Sequence, residues 1–233
     1  MPNDVIVVVN IDARPTGTEN LDILLLSTEG EKAIDTYRDL EVIQTTFTGK
    51  KVAAMAEKLF NQGDTTLADT LIRKVKIAGI EAPTGTGESD KATALVQAIE
   101  TLRQTDDDWY ILLTDQTGAE AVEALCAWAE GTEPTEAELG AGELALTNAR
   151  SIVIYTDDPT EYADAAYVGN VGPFYPESVT WKFKRPQGIA VPDLTKAERD
   201  ALEEANVNFL TVEYKREYVK NGTCLNGEFI DVQ

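Results

Sequence analysis

Stretches with helical spacing alternate with short apolar runs along most of this 233-residue chain. Apolar residues recur at Val52, Met55, Ala56, Leu59 and Phe60, at Ala92, Leu95, Val96, Ile99 and Leu102, and at Val122, Leu125, Cys126 and Ala129. Each set marks a helix with one apolar face. Around them Ile23–Leu26, Leu71–Ile77, Trp109–Thr114 and Ile152–Tyr155 read as strands, and a β/α alternation of this kind is satisfied by helices covering a mostly parallel sheet. The predicted class is α/β (α+β), a mixed sheet covered by helices, with an N-terminal extended strand arm and a C-terminal β-hairpin region.

The two ends depart from the alternation. Val5–Ile11 reads as a strand tied to the rest by the Pro/Gly/Thr link Ala13–Asn20, and a strand on a flexible link can pair with a sheet other than its own. Near the other end, "LTKAERDALEEAN" places Thr195 at a helix start with Glu198 three residues on, a capping box, and Leu194, Ala197, Ala201, Leu202 and Ala205 inward. "NFLTVEY" and "REYVKNGTCLNGEFIDV" follow, with tight turns expected at Asn221-Gly222 and Asn226-Gly227. The organisation expected is an arm and linker over 1–20, an α/β domain over 21–176, and a strand–helix–hairpin part over 177–233.

Charge narrows the partners. With 20 basic and 41 acidic side chains the net charge is −21, which repels phosphate, so nucleic acid is not expected as a partner. No apolar run approaches the roughly 18 residues of a membrane span; no membrane insertion is expected, and synthesis in a cytoplasm with both cysteines as free thiols is. Histidine is absent. Its absence removes the commonest general base, the Ser/His and Cys/His nucleophile pairs and nearly every standard zinc site.

Two places remain for chemistry. "APTGTGESDKATAL" follows a strand and opens a helix, where a phosphate-cradling loop would sit, but it has neither a P-loop ending nor complete G-x-G-x-x-G spacing. Ser89 as helix cap and Gly85 and Gly87 as turn residues account for it. Asp106, Asp107 and Asp108 precede a strand ending near Asp115; at about 3.3 Å per residue the two ends lie about 20 Å apart, too far to share a magnesium ion. A nucleotide- or Mg-dependent α/β enzyme using the Thr84–Ser89 loop is the alternative reading.

"VTWKFKRPQGI", Val179–Ile189, alternates apolar and basic residues and reads as a strand with Trp181 and Phe183 inward and Lys182, Lys184 and Arg185 outward. Thr101–Ala149 carries 11 acidic residues and one basic, whereas Ser178–Lys220 carries 8 basic and 7 acidic. Such asymmetry lets the acidic region of one copy face the basic strand of another in a head-to-tail contact.

"DVIVVVNI", "LDILLLSTEGEKAIDTYRDLEVIQTTF", "AEKLFNQ", "DDDWYILLT", "SVTWKFKRPQGI", "LTKAERDALEEANVNFLTVEY" and "NGEFIDV", taken as an ordered set, resemble the tail sheath proteins of contractile bacteriophages and related particles. The resemblance runs across essentially the whole chain. It implies a non-enzymatic structural subunit without cofactor or metal, a virion tail component assembled in the host cytoplasm. Its partners would be copies of itself in hexameric rings or a helical sheath, the inner tail tube protein, and baseplate and tail terminator proteins. Contraction of that sheath drives the tube through a bacterial envelope. Terminal arms in the family are exchanged as strands, which implies subunit contacts at Val5, Val7 and Val9, beside Lys182, Lys184 and Arg185. Sheath proteins usually continue past a segment like "NGEFIDV", so the resemblance also implies a chain shortened at Gln233.

Overall fold

The structure is a computed structural model, which describes residues 22–64, 71–116, 118–130, 152–154, 161–173, 182–204, 208–213 and 215–220. Five strands form one mixed sheet in the order β2-β3-β1-β4-β5: β1 Ile23–Ser27, β2 Lys32–Tyr37, β3 Val75–Gly79, β4 Ile111–Thr114 and β5 Ile152–Ile154. β1 lies parallel to β3 and β4, β4 parallel to β5, and only the edge strand β2 runs antiparallel. The expected mixed α/β sheet is therefore present.

Both faces of the parallel part are covered, so its strands are continuously apolar. Ile23 and Leu25 point to one face, against α1 (Leu40–Thr46), α2 (Lys51–Phe60) and α5 (Ala163–Val171). Leu24 and Leu26 point to the other, against α3 (Glu88–Thr105) and α4 (Ala119–Glu130). Trp109 and Trp128 are buried on that second face and stack with centroids 6.0 Å apart. Gly169 brings α5 onto α2 so closely that a Cβ there would lie 2.3 Å from the Leu59 carbonyl oxygen.

A second sheet, β6 (Leu210–Glu213) and β7 (Arg216–Val219), is an antiparallel hairpin, with Leu210 and Val219 reaching the α2/α5 core. Its turn lies between Glu213 and Arg216, with Lys215 at φ 64°. The expected Asn-Gly turns, the Val5–Ile11 strand, Trp181 and Cys224 lie outside the described residues. Helix α6 (Lys196–Glu204) has the predicted capping box: the Thr195 N–H donates to the Glu198 carboxylate at 2.7 Å and the Glu198 N–H to Thr195 Oγ1 at 3.3 Å. Its apolar side is not inward as expected, since none of its residues is buried. No helix among the described residues is long and apolar enough to cross a membrane.

Candidate subunit-contact surfaces

From Lys182 onward the basic stretch is a corner, not a strand. Lys182 and Phe183 lie in a turn, Phe183 has φ 64°, and its side chain is 61% exposed where the alternation expected it inside. What its ring covers is Tyr218 on β7, edge to face at 5.3 Å, with the Lys182 ammonium 5.1 Å from its centroid. Aromatic and cation–π contacts of this kind hold the corner closed at the surface.

The corner is joined to the hairpin through the backbone. Phe183 N–H donates to the Val219 carbonyl at 3.0 Å, and Val219 N–H to the Lys184 carbonyl at 2.7 Å. Arg185 meets the Glu217 carboxylate through Nε at 2.9 Å and through a terminal nitrogen at 2.7 Å. That two-point contact offsets its charge within its own module. Burial holds the Lys184 amine below its ordinary range. Lys182, Lys184 and Arg185 thus share one corner, while Val5, Val7 and Val9 lie outside the described residues.

A residue that sequence reasoning passed over fixes this corner to the α/β body. Gln62, 2% exposed, accepts from the Gln187 N–H at 2.7 Å and donates to the Gln187 carbonyl at 3.0 Å; Lys58 Nζ adds a bond to the Gly188 carbonyl at 2.7 Å. The signal was present, because Gln62 continues the inward row of Met55 and Leu59, where an uncharged amide implies a buried polar partner. Gln62→Ala should leave the sheet intact but raise amide exchange at Phe183, Gln187 and Val219 by about tenfold or more, since a strap secured by local hydrogen bonds opens locally. Unchanged protection at those amides would remove the latch role.

Beside the corner, β6 offers a sheet edge. Lys220 N–H bonds to the Phe209 carbonyl, and alternation along an antiparallel pair then turns the N–H and C=O groups of Leu210 and Val212 away from β7. Among the described residues no backbone group pairs with that side. A groove runs along it, lined by Val191, Asp193, Leu194, Arg199, Leu210 and Val212, and Val212 is 49% exposed.

The places that looked capable of chemistry are filled by the chain's own carboxylates. In the Thr84–Ser89 loop, Asp90 accepts from Thr86 N–H at 3.2 Å and from its hydroxyl at 2.7 Å, and these bonds hold its carboxyl below the usual range. Gly87, not Ser89, is the N-cap of α3, and Glu88 and Asp90 sit in its first turn. Negative charge there opposes a phosphate. At the ends of β1 and β4, where open α/β sheets bind ligands, Asp115 accepts from Thr28 N–H at 3.0 Å and from its hydroxyl at 2.8 Å. Glu29 accepts from the Lys51 N–H at the start of α2 at 2.7 Å. Asp106, at the opposite end of β4, pairs with the buried Lys76 at 2.7 Å. Among the described residues no group of three or more metal-ligating side chains converges.

No family model matches the chain, and no curated protein matches it in sequence. Among solved structures, it is similar to a chain of the anti-feeding prophage helical sheath in its contracted state, determined by cryo-electron microscopy. The match covers 93% of this chain and 67% of that one, with 11% sequence identity and a TM-score of 0.46.

Proposed function

We propose that this protein is a structural subunit of a contractile tail sheath, assembling around an inner tail tube that contraction drives through a bacterial envelope. The observation that carries the reading is the outer edge of β6, at Leu210 and Val212, with which no backbone group among the described residues pairs, in a chain that also carries a β-branched run at Val5–Ile11. A two-stranded sheet is marginal alone, and an open edge invites strand addition. Val5, Val7 and Val9 from one copy would seat on β6 of another. The ordered set of sequence segments resembling sheath proteins supplies the second support. On this reading residues 1–20 are the arm, 21–176 the body and 177–233 the docking module. Assembly takes place in the host cytoplasm, and the finished subunit belongs to the virion tail, next to tube, baseplate and terminator proteins.

Lys182 and Lys184 would face the acidic Thr101–Ala149 region of a neighbouring copy. Sedimentation velocity and negative-stain electron microscopy over a concentration and salt series test the proposal. Rings or tubes are expected from the full chain at low salt. Lys182→Glu with Lys184→Glu should raise the concentration needed for assembly by about tenfold, as for like charges placed at an interface, without changing the circular dichroism. A chain that stays monomeric under every condition would defeat the sheath reading, whereas assembly by a folded double variant at the wild-type concentration would defeat only the charge contact.

A further inference from the structure

We propose that Arg199 sets the register of the incoming strand by binding the carboxylate of Asp4 or Asp12, the two aspartates that bracket its apolar run; this rests on the strand-addition reading above. Arg199 lies on α6, is half-buried, and lines the groove along the open edge of β6. Its backbone N–H is used, donating to the Thr195 carbonyl at 3.1 Å. Its guanidinium has no ion pair among the described residues, even though Asp193 lines the same groove.

Its neighbours are different. Arg185 pairs with Glu217, Lys196 with Asp200 and Lys220 with Glu203. Arg199 is half-buried in a groove lined by Val191, Asp193, Leu194, Leu210, Thr211 and Val212, and the planar fork of five donors of a guanidinium is matched best by a carboxylate.

The arm needs such a marker. Val5, Val7, Val8 and Val9 are interchangeable in shape, so a slip of two residues would preserve nearly every apolar contact, and a slip of one would exchange the faces. Apolar burial alone leaves the register degenerate. Asp4 and Asp12, eight positions apart, would be separated by about 26 Å when extended, against about 13 Å for the four residues of β6. Both stand on the face of Ile6 and Val8, opposite Val5, Val7 and Val9, so that face is the one turned to Arg199, and only one of the two can lie at the groove in a given register. A single arginine at a fixed place resolves what the valines cannot.

The test uses the full-length protein, diluted until sedimentation shows it monomeric so that no neighbouring copy's arm fills the groove, and a fluorescently labelled peptide of residues 3–13, "NDVIVVVNIDA", followed by anisotropy. Wild-type protein should bind the peptide, and Arg199→Ala should weaken binding about tenfold, the free-energy equivalent of about 1.4 kcal/mol. A peptide with Asp4→Asn and Asp12→Asn should lose the same factor on wild-type protein and nothing further on Arg199→Ala, a coupling that a general structural effect would not produce. The single-substitution peptides then tell which aspartate is used. Binding that is unaffected by Arg199→Ala overturns the arginine assignment alone. No binding to the wild-type protein overturns strand addition along with it.

Discussion

Gly169→Val is expected to cost about 3 kcal/mol and to lower the melting temperature by about 6–12 °C, the upper range for overpacking in a chain of this size. A Cβ at this position would lie 2.3 Å from the Leu59 carbonyl oxygen, 3.0 Å from the Leu59 carbonyl carbon and 2.7 Å from Gln62 Cγ. The first two are backbone and have no rotamer by which to withdraw. Either α5 separates from α2, opening a core that includes Met55, Leu59, Ala165 and Val168, or the last turn of α2 distorts. The second route displaces Gln62 and with it the strap over Gln187, so exchange at the strap should rise more steeply than in the sheet. Gly118→Ala, where nothing lies within 4 Å of the added methyl, provides the comparison by thermal circular dichroism. A Gly169→Val protein melting within about 1 °C of wild type would show that the two helices are not in close contact.

That contact was invisible in the sequence for a physical reason. α5, "ADAAYVGNV", is buried along nearly its whole length, and a helix surrounded on all sides carries no period to read. β2 failed in the opposite way: only Tyr37 of its six residues is buried, so it has almost no apolar face, and its place at the sheet edge comes from pairing with β3. By contrast α2, α3 and α4 present one face each and were legible in their spacing, as were the continuously apolar strands β1 and β4.

Alternation misled at Lys182–Lys184. The pattern is that of a strand, but Phe183 adopts φ 64° and covers Tyr218 at the surface. Packing against β7, 35 residues further on, overrode local preference. The two residues between Glu213 and Arg216, where the hairpin reverses, include neither Asn nor Gly, and turn chemistry pointed past them to Asn221-Gly222. That Lys182, Lys184 and Arg185 lie at one corner was legible because they fall within four residues of one another. Gln62 and Arg199 gain meaning only from partners or surroundings far along the chain.

Asp164→Asn should make the protein more stable at pH 7.5 by about 2–3 kcal/mol, with the gain vanishing near pH 4. Asp164 is 4% exposed at the start of α5, and burial pushes its carboxyl from the ordinary 3.8 up to about 6, against the opposing pull of the backbone N–H groups of Ala165 and of Asp164 itself. A folded-state value above the unfolded one means that the folded protein holds the proton more tightly. Its stabilising share is complete below about pH 3.8, declines as the pH rises toward 6, and is gone above that. Two pH units at 1.36 kcal/mol each set the size of the effect. Asn mimics the protonated acid in shape and does not titrate, so the difference between the two proteins isolates this one group. Other carboxyls slope the opposite way, since Asp106, Asp90 and Glu198 are all held low, and they cancel in that difference. Tyr162, which caps α5 at φ 50°, shares the surroundings: its phenol is raised first by burial and then by Glu29, Asp115 and Asp164. Ionising Asp164 therefore adds charge to the end of the sheet that Glu29 and Asp115 already make negative. Urea unfolding of both proteins from pH 4 to 8 measures the difference; a constant offset across that range would mean that Asp164 titrates like an exposed carboxylate and that the start of α5 is open to water.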